Sequence, residues 1–280
     1  MRDVNTSFTD AIGRVHVPAG DDARIVCLVP SITELLFALG LGDKVVGRTG
    51  FCVHPKPQVR KVPKIGGTKD VHLERVRELA PTHLIVNIDE NEKPTVDALA
   101  EFVPNIVVTH PNAPLDNLPL YRLIGGIFDR AEAAETLCRR FLAEYEATES
   151  ACAGKPRECV LYLIWKDPWM TVSRDTYIAR TLALVGWDTP ELGSADRYPE
   201  LQLAPELLRK VDRVLLSSEP YAFRERHVEQ LRTLLSRVRD GRSRIDVSLI
   251  DGEMTSWYGS RAIEGLRYLH AMRCDGVSRA

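Results

Sequence analysis

Excess charge of one sign is missing from this sequence. Its 37 Lys and Arg against 39 Asp and Glu leave a formal charge of −2. The pI is near 6.4, so no strong field draws the chain to nucleic acid or an anionic membrane. Long apolar runs are missing too, and no stretch approaches the roughly 20 residues of a membrane-spanning helix. The opening stretch MRDVNTSFTDAIGRVHV has no basic segment followed by an apolar one, so no signal peptide is expected in it as written. Paired cysteines are absent as a motif. Cys27, Cys52, Cys138, Cys152, Cys159 and Cys274 form no C-x-x-C and no cluster with histidine. Such spacing reads as structural thiols rather than a metal or disulfide framework, and as a reducing compartment. The catalytic signatures are missing as well: no G-x-S-x-G, HExxH or Walker loop occurs, and no G-x-G-x-x-G follows a strand.

What is present is an α/β pattern around one long helix. Ala131 to Gly154 places Ala134, Leu137, Cys138, Phe141, Leu142 and Tyr145 on one face, without Gly or Pro until Gly154 and Pro156. At 1.5 Å per residue it would span roughly 35 Å, a strut between two lobes. Before it, FTDAIGRVHV reads as a hairpin-like lead-in. RIVCLVP (24–30), KVVGRT (44–49), THLIVNI (82–88) and NIVVTHP (105–111) read as buried strands, alternating with helices. Ser31 and Glu34 fit a capping box. Behind the strut the pattern restarts with ECVLYLIW (158–165), DRVLLSS (212–218) and SRIDVSLID (243–251) as strands. KDPWMTVSRD and WDTPELGSADRYPELQ read as loops. HLERVRELAPTHLIVNIDEN and QLAPELLRKVDRVLLSSEPY repeat one plan: a short helix with Glu in its first turn, a strand, then an acidic loop. The expected organisation is an N-terminal α/β lobe (1–114), connecting helices including the strut (115–155) and a C-terminal α/β lobe (156–280).

In open α/β sheets, ligands gather at the carboxyl ends of strands. Those ends carry Pro30-Ser31, Thr49 to His54, Asn87 to Asn91, His110, Trp165 to Trp169, Glu219 to Tyr221 and Ser256 to Arg261. Trp165, Trp169, Trp257, Tyr198, Tyr221 and Tyr258 sit in loops with little core to occupy, which suits an amphipathic binding surface. No two of His54, His72, His83 and His110 have ligand spacing; His54 and His110 lie at strand exits, where either could reach a ligand or a metal. Asp89, Glu90 and Glu92 form a solvated loop or answer a cationic group. Binding is better supported than chemistry.

At RIVCLVPSITELLFALGLGDKVVG the chain resembles the substrate-binding proteins that serve cobalamin, haem and iron–siderophore ABC importers, the helical-backbone metal-receptor family. The likeness continues through IGGTKDVHLERVRELAPTHLIV, the strut, APELLRKVDRVLL and DGEMTSWYGSRAIEGLRYL. It is nearest the cobalamin-binding branch. The resemblance implies two Rossmann-like lobes with parallel sheets joined by one long backbone helix, ligand in the cleft between them, no catalytic residue and no resident cofactor or metal. The ligand it implies is cobalamin, or else an iron-siderophore or haem. It places Phe51, Thr68, Lys69, Trp165, Trp169, Tyr198, Trp257 and Arg261 at the ligand, and Glu74 and Glu206 against an ABC permease/ATPase complex. At Thr68 and near Ile88 the cobalamin branch commonly has aromatics that this chain lacks. The implied location is periplasmic, or cytoplasmic if Met1 is the true start. Two other functions fit the same residues. One is a cytoplasmic corrinoid- or metal-chelate-binding or sensing protein, or an enzyme, on this fold but uncoupled from transport. The other is a metal-ion receptor using His54 and His110.

Overall fold

The computed structural model describes residues 8–236 and 245–275. Residues 1–7 of the lead-in, and the first two of the strand expected at 243–251, lie outside the described residues. The chain divides into two compact units. One takes the described chain up to Pro111, with Leu115–Phe141 and Tyr258–Arg261. The other takes Asn112–Pro114, the described part of Leu142–Trp257, and the described residues from Ala262 onward.

The first unit opens with an antiparallel hairpin of β1 (Phe8–Thr9) and β2 (Val15–His16). Gly13 supplies the left-handed turn with φ 80°. The buried Asp10 carboxylate accepts the Ile12 and Arg14 amides at 3.1 and 2.9 Å, lies 3.1 Å from His16 Nε2, and accepts the Val108 amide at 3.1 Å. A buried carboxylate is stable only with such a set of donors. Then follow β3 (Ile25–Cys27), α1 (Pro30–Ala38), β4 (Val45–Arg48), α2 (Leu73–Glu78), β5 (His83–Asn87), α3 (Lys93–Ala100) and β6 (Asn105–Thr109). The four strands from β3 to β6 pair in the order β4-β3-β5-β6, all parallel. Val26, Leu84, Val86, Ile106 and Val108 project from one face onto Val76 of α2 and Leu99 of α3. Period-two alternation puts Ile25, Cys27, Ile85 and Val107 on the other face, where they are fully buried. That is why these strands read as continuous apolar runs.

The capping box expected at Ser31 and Glu34 does not form. Pro30 is in the helix's first turn, and Val29 is the N-cap with no side-chain bond. Proline's fixed φ and missing N–H suit that position. Glu34 instead accepts Arg261 Nε and Nη2 at 2.8 and 2.7 Å. Residues 258–261 are tied in further by α4 (Asn117–Ile127): Tyr121 Oη donates to the Gly259 carbonyl at 2.8 Å, and Asn117 Oδ1 accepts the Gly259 amide at 2.7 Å. Gly259 has φ 83°, and a Cβ there would lie 3.1 Å from the Ser31 carbonyl oxygen. The long helix α5 (Ala131–Cys152) places its residues up to Phe141 in this unit and the rest in the second.

The second unit contains β7 (Glu158–Trp165), β8 (Trp169–Thr171), α6 (Tyr177–Leu184), β9 (Trp187–Asp188), β10 (Glu200–Leu201), α7 (Pro205–Leu208), β11 (Arg213–Ser217), α8 (Glu225–Ser236), β12 (Asp246–Ile250), α9 (Gly252–Ser256) and α10 (Ala262–Asp275). The sheet order is β10-β8-β7-β11-β12, with β9 also on β7. Strands β7, β11 and β12 are parallel, as is β9 with β7, whereas β8 and β10 are antiparallel edges. Along β7 the faces alternate. Val160, Tyr162 and Ile164 join Leu182 of α6 and Leu269 of α10, while Leu161 and Leu163 join Leu208 of α7 and Leu231 of α8. The segments expected as loops at 166–175 and 187–202 thus carry three short strands. Two or three residues give no readable alternation, so their pairing is decided by the neighbouring strand, β7 for β8 and β9 and β8 for β10, rather than by local pattern.

Helix α10 approaches α9 closely because Gly265 has no side chain: a Cβ there would come 2.2 Å from the Met254 carbonyl oxygen. Alanine normally stabilises a helix interior over glycine by about 1 kcal/mol. Here Gly265→Ala is expected to destabilise the protein by about 2 kcal/mol instead, because backbone must move; chemical denaturation of the two proteins measures the sign.

Candidate functional site

In the first unit, the chain leaving β4 folds back over the sheet's carboxyl edge. Buried Arg48 organises that turn, donating to the Val59, Thr49 and Cys52 carbonyls at 2.8, 3.0 and 3.0 Å. Phe51, at the crest, is 62% exposed. Beside it runs Gly66–Asp70. The Gly50 amide donates to the Gly66 carbonyl at 2.7 Å, and the Gly67 amide to that of Asp70 at 2.7 Å. Gly66 has φ 113°, and a Cβ would meet the Asp70 carbonyl oxygen at 2.2 Å, so the loop demands glycine there. A Cβ on Gly67 would sit 3.5 Å from the Phe51 ring, which places that ring against the loop bearing Thr68 and Lys69. Asn91, in the turn after β5, donates to the Thr68 carbonyl at 3.0 Å and accepts the Asn87 amide at 2.9 Å. Asp89 Oδ1 lies 3.4 Å from His110 Nε2, and Tyr258 Oη donates to Glu90. Phe51, Thr68 and Lys69 therefore share one rim, with Thr68 half-buried and Lys69 exposed. Arg261 is buried in this unit on Glu34.

The second unit's rim is aromatic. Trp165, the last residue of β7, is 39% exposed and meets Tyr221 edge-on, centroids 5.6 Å apart at 72°. Tyr221 packs on Phe223 at 4.7 Å, and Phe223 lies parallel to Trp169 at 6.2 Å with an interplanar angle of 3°. His227 of α8 abuts Tyr221 and Phe223, each at 5.6 Å. Lys166 Nζ stands 5.9 Å from the Trp169 ring centroid. Two strand exits, β7 and β11, thus bring Trp165 and Trp169 together through Tyr221 and Phe223. Tyr198 packs on the other cluster, with Met170, Trp187 and Leu182. Trp257 is 8% exposed, and its Nε1 donates to Glu219 Oε1 at 2.9 Å. Ser256 Oγ donates to the same oxygen at 2.8 Å. Burial raises the Glu219 carboxyl, and Glu253 and Asp251 add to that, against the two hydrogen bonds.

Sequence reasoning placed Tyr221 among the strand-exit aromatics, and Glu219 and Asn91 at strand ends without a role of their own, but passed over Phe223 and His227. The available signal was EPYAF directly after an apolar strand, where two aromatics have no helical or strand periodicity to satisfy. Glu74 and Glu206 lie in the first turns of α2 and α7 and are exposed; the Glu74 side chain, 81% accessible, stands 3.7 Å from Arg77 Nε. Among the described residues no group of three or more His, Cys, Asp and Glu is placed to hold a metal ion. Among the same residues no helix is long and apolar enough to cross a membrane. What the two rims offer is stacking surface, backbone carbonyls and a few cations, the equipment of recognition.

Residues 25–195 match the family described as periplasmic binding protein. The chain belongs to that family, whose members are binding proteins and not enzymes. Among its relatives is an ABC transporter substrate-binding lipoprotein, YvrC, of Bacillus subtilis strain 168. It is 26% identical over 260 residues, covering 88% of this chain and 78% of that protein. The vitamin B12-binding protein of Photorhabdus laumondii is 24% identical over 200 residues, covering 69% of this chain and 70% of its own. The fold is also that of the periplasmic haem-binding protein RhuT from Roseiflexus sp. RS-1, with TM-score 0.76 and 23% identity over 91% of this chain and 98% of that one.

Because the folded state holds more protons on Glu219 than the unfolded chain does, stability contributed at this site falls as pH rises above the ordinary 4.5. Glu219→Gln keeps an oxygen for Ser256 and Trp257 but cannot ionise. Its Tm relative to the wild type is therefore expected to rise between about pH 4 and pH 7; thermal melts across that range check the slope.

Proposed function

We propose that this chain is the substrate-binding component of an ABC importer for cobalamin or a related metal chelate. The observation that carries this reading is the aromatic rim of Trp165, Tyr221 and Trp169, backed by the buried Phe223, at the exits of β7 and β11. A flat, partly apolar ligand gains most from such surface, and the adjacent Lys166 can meet a peripheral carboxylate or amide. Phe51 with the Thr68–Lys69 loop is the contribution proposed for the first unit; Tyr198, Trp257 and Arg261 complete the proposed set. The vitamin B12-binding relative favours a corrinoid; the fold shared with RhuT keeps haem as the second ligand to try. Residues 1–114 and 156–280 are proposed as the ligand-holding lobes, with 115–155 between them. Export to the periplasm, or anchoring as in the YvrC lipoprotein, follows from the same reading.

Glu74 and Glu206 support coupling to a permease. Each is exposed in the first turn of a short helix that precedes a central strand of its own unit. Carboxylates there also favour the helix dipole, so docking is tested by separating binding from delivery. Glu74→Arg with Glu206→Arg should leave ligand affinity within about twofold while abolishing uptake in a cell that depends on this protein. Retained uptake removes the docking assignment.

The ligand is decided by tryptophan-fluorescence titration with cyanocobalamin, haemin and a ferric siderophore, corrected for their absorbance. Saturable quenching by cyanocobalamin at micromolar concentration or below is expected, and Trp165→Ala should weaken it about tenfold, the loss of one good stacking contact. Saturation only with haemin changes the ligand; no saturation with any of them overturns the reading.

A further inference from the structure

The six cysteines are all thiols in this structure. Cys27 Sγ donates to the Val29 carbonyl at 3.3 Å, and Cys52 Sγ lies 3.2 Å from both Thr33 and Thr49 hydroxyls. Cys138 Sγ donates to the Leu118 carbonyl at 3.8 Å. Cys159 sits on β7 beside Asp212. The remaining two differ. Cys152 is the last residue of α5 and belongs to the core cluster that α10 covers through Leu269; Cys274, one residue from the end of α10, packs on that same cluster. Cys274 Sγ donates to the Ala151 carbonyl at 3.8 Å, which places it one residue from Cys152 along α5. Arg273 fixes the end of α10 in place by donating to the Val185 carbonyl at 3.0 Å and to Glu158 and Pro156.

We propose that Cys152 and Cys274 are a redox pair that closes into a disulfide, stapling α10 to the carboxyl end of α5 when the protein meets a disulfide oxidant. That it meets one rests on the exported reading above; the pairing itself does not. Cys274 is the more accessible sulfur, so it attacks first. Its thiolate bonds to one sulfur of the oxidant disulfide and expels the other as a thiolate. Cys152, once deprotonated, then attacks the Cys274 sulfur and expels the second thiolate. Two protein thiols lose two electrons and two protons, and the external disulfide is reduced to two thiols.

Burial first, then Cys274 beside it, pushes the Cys152 thiol up to about 11, with Arg273 and Lys155 pulling the other way. Closure therefore speeds up as pH rises, by up to about tenfold per unit while the thiolate is scarce. The closed loop spans Cys152 to Cys274, nearly the whole second unit. Long loops gain most from such a link.

The test is glutathione disulfide treatment of the full chain, followed by thiol titration in denaturant. Six thiols should fall to four, tryptic peptides 141–157 and 274–279 should be found joined, and Tm should rise by about 5 to 15 °C. Cys274→Ser should retain all five of its thiols. Six thiols persisting in the wild type, or joined peptides that contain other cysteines, overturns the proposal. Acid-quenched, alkylated cells then address location separately: an oxidised pair supports export. A pair that closes with glutathione disulfide but is reduced in cells leaves the redox assignment standing and overturns the exported reading.

Discussion

The central strands of both units are buried on both faces, and most of the architecture follows from that constraint. A parallel strand cannot be reached by a tight turn, so the chain must cross back over the sheet each time, and its crossovers become the helices that cover the faces. Val26, Leu84 and Ile106 in one unit, and Leu161, Val214 and Val247 in the other, need that cover to leave water. Once the faces are filled, the segments leaving each strand are all delivered to the same edge. That is where Phe51, Asn91 and His110 lie in the first unit, and Trp165, Glu219, Tyr221 and Phe223 in the second. Apolar interior specifies the scaffold, and the loop residues it releases are free to specify a ligand.

The polar groups just behind those edges are unusually well engaged. Asn91 bonds both the strand before it and the loop beside it; Glu219 takes two donors on one oxygen; Arg48 gathers three carbonyls. Each closes hydrogen-bonding capacity that would otherwise be left without water. The result is a pair of rims whose exposed rings stand on fixed supports, so recognition need not first order a loose loop.

Strands such as 158–165 were legible because seven consecutive apolar residues leave no other economical structure, and the long helix was legible from its uninterrupted period. The short strands β8, β9 and β10 were not, since two or three residues carry no period. The capping box at Ser31 failed for a different reason: proline one position earlier starts the helix sooner, and Glu34 has a partner 227 residues away. Distance along the chain also hid the site. Phe223 matters through the Trp169 ring of β8, and the structural bonds of Trp257 and Arg261 are made to Glu219 and Glu34, pairings that no local window contains. The resemblance to cobalamin and haem receptors supplied the family where spacing alone gave only an α/β binder.

Residues 258–261 belong to the first unit although they come almost last in the sequence. Gly259 on Asn117 and Tyr121, and Arg261 on Glu34, complete a structure whose strands were all made before residue 110. During synthesis the amino-terminal half therefore waits for some 150 further residues before these contacts can form. A nascent chain with that order of events lacks these contacts through most of its production, an interval in which a chaperone can hold it.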